Sequence, residues 1–200
     1  LKIVDLFSGL GGASQAFVDD QAWGVLRVEN NPLLGSVEWT RIMDIFEFRD
    51  WLLEQKDRYG PFDVDVVWAS PPCTEFSLAF NAPQSIAIRE GRFEEYQPYM
   101  GYLTVAMEII EIINPRYWII ENVRGSVKYF HPLVGKPHQI LGPYFLWGNF
   151  PKIMPDTLPT KLSKEDGPRN MRANRRALVP YEISQALKHA IENQQSILDF

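Results

Sequence analysis

Lys2-Ile3-Val4-Asp5-Leu6-Phe7-Ser8-Gly9-Leu10-Gly11-Gly12 decides how the chain begins to fold. Lys2 to Phe7, apolar but for Lys2 and Asp5, reads as a buried strand. Ser8 to Gly12 reads as a loop whose glycines let backbone approach a ligand closely. A helix over about Ala13 to Asp19 completes the start of a Rossmann-like unit, in which a nucleotide sits at the carboxyl end of the first strand. The spacing Gly9-x-Gly11-x-x-Ser14 lacks only the last glycine of the dinucleotide fingerprint, so a nicotinamide cofactor stays open at this point.

Trp23 to Val28 reads as the second strand, with Glu29 at its end and Asn30-Asn31-Pro32 turning the chain away. A carboxylate there can accept both hydroxyls of a ribose, which supports an adenosine-containing ligand without choosing among such ligands. Met43-Asp44-Ile45 ends a short segment; Asp44 suits an adenine amino group, and equally a helix cap. Phe48 to Tyr59 is an amphipathic helix stopped by Gly60-Pro61. Val64 to Trp68 is the fourth strand, and it delivers Ala69-Ser70-Pro71-Pro72-Cys73-Thr74-Glu75-Phe76-Ser77. Each proline holds φ near −65° and biases its predecessor away from helix, so the turn presenting Cys73 is stiff.

Leu78 to Pro98 has no clean period and reads as a long irregular excursion, either a mobile lid or substrate-binding loop or an ordinary surface insertion. Gln97 to Asn114 carries a broad apolar face at helical spacing, and Pro115 stops it. Arg116 to Ile120 is the fifth strand, which puts Glu121 and Asn122 on the same rim as Cys73 if the sheet is parallel. Leu141 to Phe150 has hairpin character, Pro151 to Pro168 is irregular, and Val179-Pro180 begins a helix to about Asn193.

Two hundred residues with 46% apolar and 13% aromatic content suit one folded domain. The single cysteine excludes an intrachain disulfide framework and a cysteine-rich zinc site, and no metal is expected. The amino end reads straight into a strand, with no targeting peptide, and apolar runs are too short to span a membrane. A cytoplasmic protein is the expectation. The formal charge of −5 argues mildly against nucleic acid. Yet Lys161, Lys164, Arg169, Arg172, Arg175 and Arg176 face only Glu165 and Asp166 over one short stretch. That run is either a solvated surface or a place for a phosphate backbone.

A lone cysteine ordinarily packs as a small hydrophobe. Here Asp5-Leu6-Phe7-Ser8-Gly9-Leu10-Gly11-Gly12, Pro71-Pro72-Cys73 and Glu121-Asn122-Val123 follow one another in the order seen in the DNA (cytosine-5) methyltransferase family, which the chain resembles over nearly its whole length. The resemblance implies an α/β fold of the Rossmann-like class I kind, a mostly parallel twisted sheet with helices on both faces. It implies S-adenosylmethionine as cofactor, leaving as S-adenosylhomocysteine, and DNA as partner. Phe7, Ser8, Gly9, Gly11 and Gly12 would shape the cofactor site, with Glu29, Asn30, Asp44, Ile45 and Pro71 completing it. Cys73 would be the nucleophile and Glu121 the acid, with Pro72 and Asn122 in support and Ser77 near the substrate.

Four departures are visible. Thr74 stands where the family usually has glutamine, and the closing motif around Ala177 to Ile183 lacks its Gly-Asn-Ser. The family's Gln-x-Arg-x-Arg segment is missing around Gln139, which leaves Arg124 or the Arg169, Arg172, Arg175 and Arg176 group to take its place. Residues 150–176 form a short irregular basic segment where a target recognition domain would stand, so specificity is low, short or supplied by a partner chain. Compact members carried by phages are similar in this respect. The competing readings are the same fold acting on RNA, single-stranded DNA or a nucleotide, a non-catalytic binding protein, and an NAD oxidoreductase.

Overall fold

The structure, a computed structural model, describes residues 1–79, 81–160 and 171–198. Among the described residues, seven strands form one sheet: β1 (Lys2–Leu6), β2 (Gly24–Glu29), β3 (Thr40–Ile42), β4 (Val66–Ala69), β5 (Tyr117–Asn122), β6 (Gln139–Leu141) and β7 (Tyr144–Asn149). Their order is β3-β2-β1-β4-β5-β7-β6. Strands β1 to β5 are parallel, and β7 runs antiparallel to both neighbours. The chain order reverses between β1 and β4, the kind of switch point where open α/β sheets bind ligands. This is the Rossmann-like, mostly parallel α/β arrangement that the sequence led us to expect.

The described α-helices are α1 (Gln15–Val18), α2 (Ile45–Tyr59), α3 (Pro83–Arg89), α4 (Gly101–Ile113), α5 (Val127–Val134), α6 (Arg172–Ala177) and α7 (Tyr181–Leu198). Alternation along the strands sends neighbouring residues to opposite faces. Val4, Leu6, Val67, Ala69 and Ile120 join one core with Phe48 of α2, Ile109 of α4 and Phe130 of α5. Ile3, Val66, Trp68, Ile119 and Leu146 join the other with Phe17 of α1 and Ile183, Leu187 and Ile191 of α7. Phe48 and Ile109 are each 0% exposed, and burying side chains of that size stabilises by roughly 1.5–3 kcal/mol apiece. A one-residue slip of β1 would exchange Asp5 for an aliphatic side chain on each face, so both cores hold the register.

Several boundaries move from their expected places for identifiable reasons. Helix α2 starts at Ile45, ahead of Phe48, because the Asp44 carboxylate caps it, accepting from the Phe46 N–H at 2.9 Å. Helix α4 starts at Gly101, behind Gln97, because the preceding backbone is tied to Glu75: the Tyr99 N–H donates to Glu75 Oε2 at 2.7 Å and the Tyr96 hydroxyl to the Glu75 carbonyl at 3.0 Å. The excursion over Leu78 to Pro98 is not wholly irregular. It contains α3, which Pro83 opens from a first-turn position where a missing N–H costs nothing. The hairpin character expected over Leu141 to Phe150 is that of β6 and β7, which begins at Gln139 and turns at Gly142 with φ +58°. Residues 150–176 were expected to be irregular throughout, but Arg172–Ala177 forms α6. Arg169 lies outside the described residues.

Candidate active site

The strand ends converge on a cavity of about 220 Å³. Its floor begins with the loop after β1, where Phe7, Gly9 and Gly11 all take left-handed backbone (φ 56°, 53° and 76°). For a phenylalanine this conformation is strained, at a cost on the order of 1–3 kcal/mol, and the surroundings must hold it. They do so from both sides. The Ser8 N–H donates to the Val28 carbonyl at 3.1 Å and the Gly11 N–H to the Ser8 carbonyl at 2.7 Å. Glu29, at the end of β2, receives the Gly9 N–H on Oε2 at 2.9 Å and the Asn31 N–H on Oε1 at 2.9 Å. The Phe7 ring meets Tyr102 edge-on, with centroids 5.9 Å apart.

Beneath this loop Asp5 is 0% exposed. Its Oδ2 accepts from Ser14 Oγ at 2.6 Å, while Oδ1 has no partner among the described residues. Burial pushes the Asp5 carboxyl up to about 6; the Ser14 hydrogen bond and the Arg27 charge pull it down, and Glu29 adds to the rise. The Ser8 hydroxyl oxygen is likewise buried without a partner among these residues. Both residues line the cavity, where an unpaired buried polar atom is costly unless a partner is supplied.

Strand β4 supplies the opposite wall. The Ser70 N–H donates to the Leu6 carbonyl at 3.1 Å, and Trp68 Nε1 to Ser70 Oγ at 2.8 Å, which fixes the exit from the strand. Asn122, 1% exposed at the end of β5, donates from Nδ2 to the Pro71 carbonyl at 2.9 Å and accepts the Val123 N–H on Oδ1 at 2.9 Å. One amide therefore clamps the proline turn to the Glu-Asn-Val turn. The Phe76 N–H closes on the Cys73 carbonyl at 3.1 Å, and the Phe76 ring is anchored against Phe130. A Cβ on Gly125 would stand 1.9 Å from the Phe76 carbonyl oxygen, so only glycine lets these two turns cross. Cys73 is half-buried and Glu121 is 8% exposed, and both face the cavity. Beside Glu121, the Tyr144 hydroxyl donates to the Leu178 carbonyl at 3.2 Å. Burial raises the Tyr144 phenol, and the Glu121 and Glu182 carboxylates add to that.

The cavity gathers most of the expected residues. Phe7, Ser8, Gly9 and Gly12 line it from the glycine loop; Glu29, Asn30 and Ile45 from the β2 side; Pro71, Pro72, Cys73 and Glu121 from the ends of β4 and β5. Gly11, Asp44, Asn122 and Ser77 are not among the lining residues, and Asp44 and Asn122 have the capping and clamping contacts just described. Arg124, Arg175 and Arg176 are exposed and outside the wall. The sequence reading missed Asp5, Met43, Tyr102 and Asn174, and it did not place Leu178 and Val179 at the cavity, which they also line. Asp5 was detectable as a charge inside an apolar strand. Tyr102 and Asn174 carried no local signal.

Among the described residues, no helix is long and apolar enough to cross a membrane. A probable DNA (cytosine-5)-methyltransferase of Frog virus 3 (isolate Goorha) is 29% identical over 154 residues, covering 74% of this chain and 66% of the viral protein. The type II methyltransferase M.AquIA of a Picosynechococcus species is 25% identical over 140 residues, covering 64% and 50%. The chain thus spans 66% of the viral relative's length and 50% of the cyanobacterial one's. Among solved structures, a putative DNA modification methyltransferase from an E. coli prophage superposes with a TM-score of 0.46 at 18% identity, covering 74% of this chain and 46% of that one. The profile of the C-5 cytosine-specific DNA methylases matches residues 1–132, from the glycine loop past the proline-cysteine and Glu-Asn-Val turns, and the chain belongs to that family.

Proposed function

We propose that the protein methylates carbon 5 of cytosine in DNA, using S-adenosylmethionine, Cys73 and Glu121. The observation that carries this reading is that thiol and carboxyl, delivered by β4 and β5, open onto the cavity that also holds Asp5, Phe7 and Glu29. The residues fit the cofactor. Asp5 Oδ1 and Ser8 Oγ are buried and unpartnered among the described residues, and a Cβ at Gly9 would meet nothing within 4 Å, so the loop backbone is open to a ligand. Glu29 would receive the ribose hydroxyls and Phe7 would pack on the adenine. When bound, S-adenosylmethionine supplies an electrophilic methyl on a positively charged sulfur. Among the described residues, Asp5, Glu29 and Glu121 line the cavity and neither lysine nor arginine does. That potential suits a sulfonium cation and opposes the pyrophosphate of NAD.

Carbon 5 of cytosine is a weak nucleophile until electrons are pushed into the ring. Attack of the Cys73 thiolate on carbon 6 forms a carbon–sulfur bond and moves the ring π pair, leaving carbon 5 enamine-like. Charge then builds at ring nitrogen 3, where the Glu121 carboxyl donates a proton or hydrogen bond and also reads the exocyclic amine. Asn122 does not touch the base; it holds the turn that aims Cys73. After methylation, loss of the carbon 5 proton expels the thiolate. Attack on the ring face requires a duplex base to leave the stack, at roughly a few kcal/mol.

A second reading keeps the fold and cofactor but takes RNA, single strands or dCMP, and a cavity wall without arginine among the described residues favours it. The test is incubation with labelled S-adenosylmethionine and duplex DNA, single-stranded DNA, RNA or dCMP. Label on carbon 5 of duplex cytosine is the expected result. Label confined to another substrate would select the second reading, and no transfer to any of them would reject both.

A further inference from the structure

Arg27 is a charge in the middle of a buried strand, 1% exposed and directly across from Asp5 in the parallel β1–β2 register. Its guanidinium donates from Nε to Ser14 Oγ at 2.8 Å and from Nη1 to the Glu38 carbonyl at 2.9 Å. Nη2 donates to the Gly11 carbonyl at 2.8 Å and to Gln15 Oε1 at 3.0 Å. Ser14 relays the connection, donating to Asp5 Oδ2 at 2.6 Å. A Cβ on Gly11 would lie 2.3 Å from the guanidinium carbon, so the left-handed turn at Gly11 rests on the Arg27 head group. Arg27 is not part of the cavity wall, but Gly9, Gly12 and Asp5 are.

Burying a cation is a poor way to gain stability, because an apolar residue of similar size commonly does as well or better. What the guanidinium offers is geometry: five N–H donors spread over three nitrogens of a rigid plane can hold the four acceptors just named, whereas an ammonium has three donors on one atom. The atoms held here are the carbonyl at the centre of the glycine loop and, through Ser14, the carboxylate of Asp5, a cavity-lining residue whose other oxygen is buried without a partner among the described residues. Glu29, two residues further along the same strand, grips the loop at Gly9. With the Val28 carbonyl accepting from the Ser8 N–H, strand β2 holds the loop at three points, two of them through side chains.

We propose that Arg27 is a positioning residue for the cofactor: from outside the cavity it sets the glycine-loop backbone and the free oxygen of Asp5 in the arrangement that receives S-adenosylmethionine. The inference rests on the methyltransferase reading. Its test uses the full chain with Arg27→Lys and Arg27→Met, S-adenosylhomocysteine binding by calorimetry, and steady-state methyl transfer to cytosine-containing DNA.

Arg27→Met weakens S-adenosylhomocysteine binding by about 100-fold and Arg27→Lys by about tenfold, in line with the removal of one or more charge-assisted hydrogen bonds. The KM for S-adenosylmethionine rises in step, while the KM for DNA and kcat at saturating cofactor change less than about threefold. Ser14→Ala leaves the guanidinium in place but cuts its link to Asp5; it gives a smaller rise of the same kind, and keeps the test decisive if Arg27→Met does not fold. Unchanged binding in Arg27→Lys and Ser14→Ala, or kcat and both KM values deteriorating together, would overturn the inference alone. Failure of the unaltered protein to bind S-adenosylhomocysteine would instead remove the methyltransferase reading beneath it.

Discussion

The glycine-loop side of the cavity, where we propose that the cofactor binds, and the side that presents Cys73 are held by different means. Around the glycine loop, buried side chains grip the backbone: Arg27 takes the Gly11 carbonyl, Glu29 takes the Gly9 and Asn31 N–H groups, and Asp5 and Ser14 join them underneath. Around Cys73, the Asn122 clamp on Pro71 and the turn from Phe76 back to Cys73 fix the base of the segment. Beyond them Thr74, Leu78 and Ala79 are exposed. A small ligand gains affinity from a cavity organised in advance, since little conformational entropy is left to lose on binding. A polymer substrate of the kind proposed would have to enter, and a Cys73 segment anchored from behind and open in front fits that.

The division predicts that the two sides fail separately. The largest effect is expected from Cys73→Ala: methyl transfer falls by at least about a thousandfold, while S-adenosylhomocysteine binding stays within about threefold. DNA containing 5-fluorocytosine traps the unaltered protein as a covalent adduct, because fluorine does not leave as a proton does, and leaves the variant untrapped. Turnover that survives in Cys73→Ala would break the assignment of the nucleophile and the separation together.

An intermediate effect lies on the cofactor side. The Asp5 carboxyl, at about 6 in the folded protein against an ordinary 3.8, binds its proton more tightly folded than unfolded. Its stabilising contribution is therefore full below pH 4 and is lost as pH rises through 6, a change of about 3 kcal/mol. Urea unfolding across that range should show this decline, and Asp5→Asn should flatten it whatever its overall stability. The same slope in both proteins would mean that Asp5 is not the buried acid of the cavity.

The smallest effect concerns the rim. Arg175 and Arg176 lie on α6, whose Asn174 and Ala177 line the cavity. Replacing both arginines with glutamine should weaken DNA binding several-fold and make its salt slope shallower by about one for each arginine that neutralises a phosphate. An unchanged slope would return the pair to solvated surface and leave the base side without a basic contribution from α6.

Much of the fold was legible because β1, β4 and β5 each combine an apolar run with a distinctive turn. Glycines, consecutive prolines and a Glu-Asn pair are local signals, readable without knowing what lies opposite. Helix α3 was not legible because seven residues are too few to establish a period. The start of α4 was misplaced because it depends on Glu75, far away in the sequence and holding Tyr96 and Tyr99. Asp44 was readable both as an adenine contact and as a cap; the capping bond to Phe46 is the contact made in the structure.

Sequence alone determined the residue types: a thiol after two prolines, a carboxyl before an asparagine, and a flexible loop after the first strand. Their order along the chain was enough to indicate the family. Tertiary structure decided which of them share a space, and with what. No local pattern announces that Arg27 lies under Gly11, that Asn122 reaches Pro71, or that Tyr102 and Leu178 close the cavity, since each of these contacts joins segments brought together only when the parallel strands set their register.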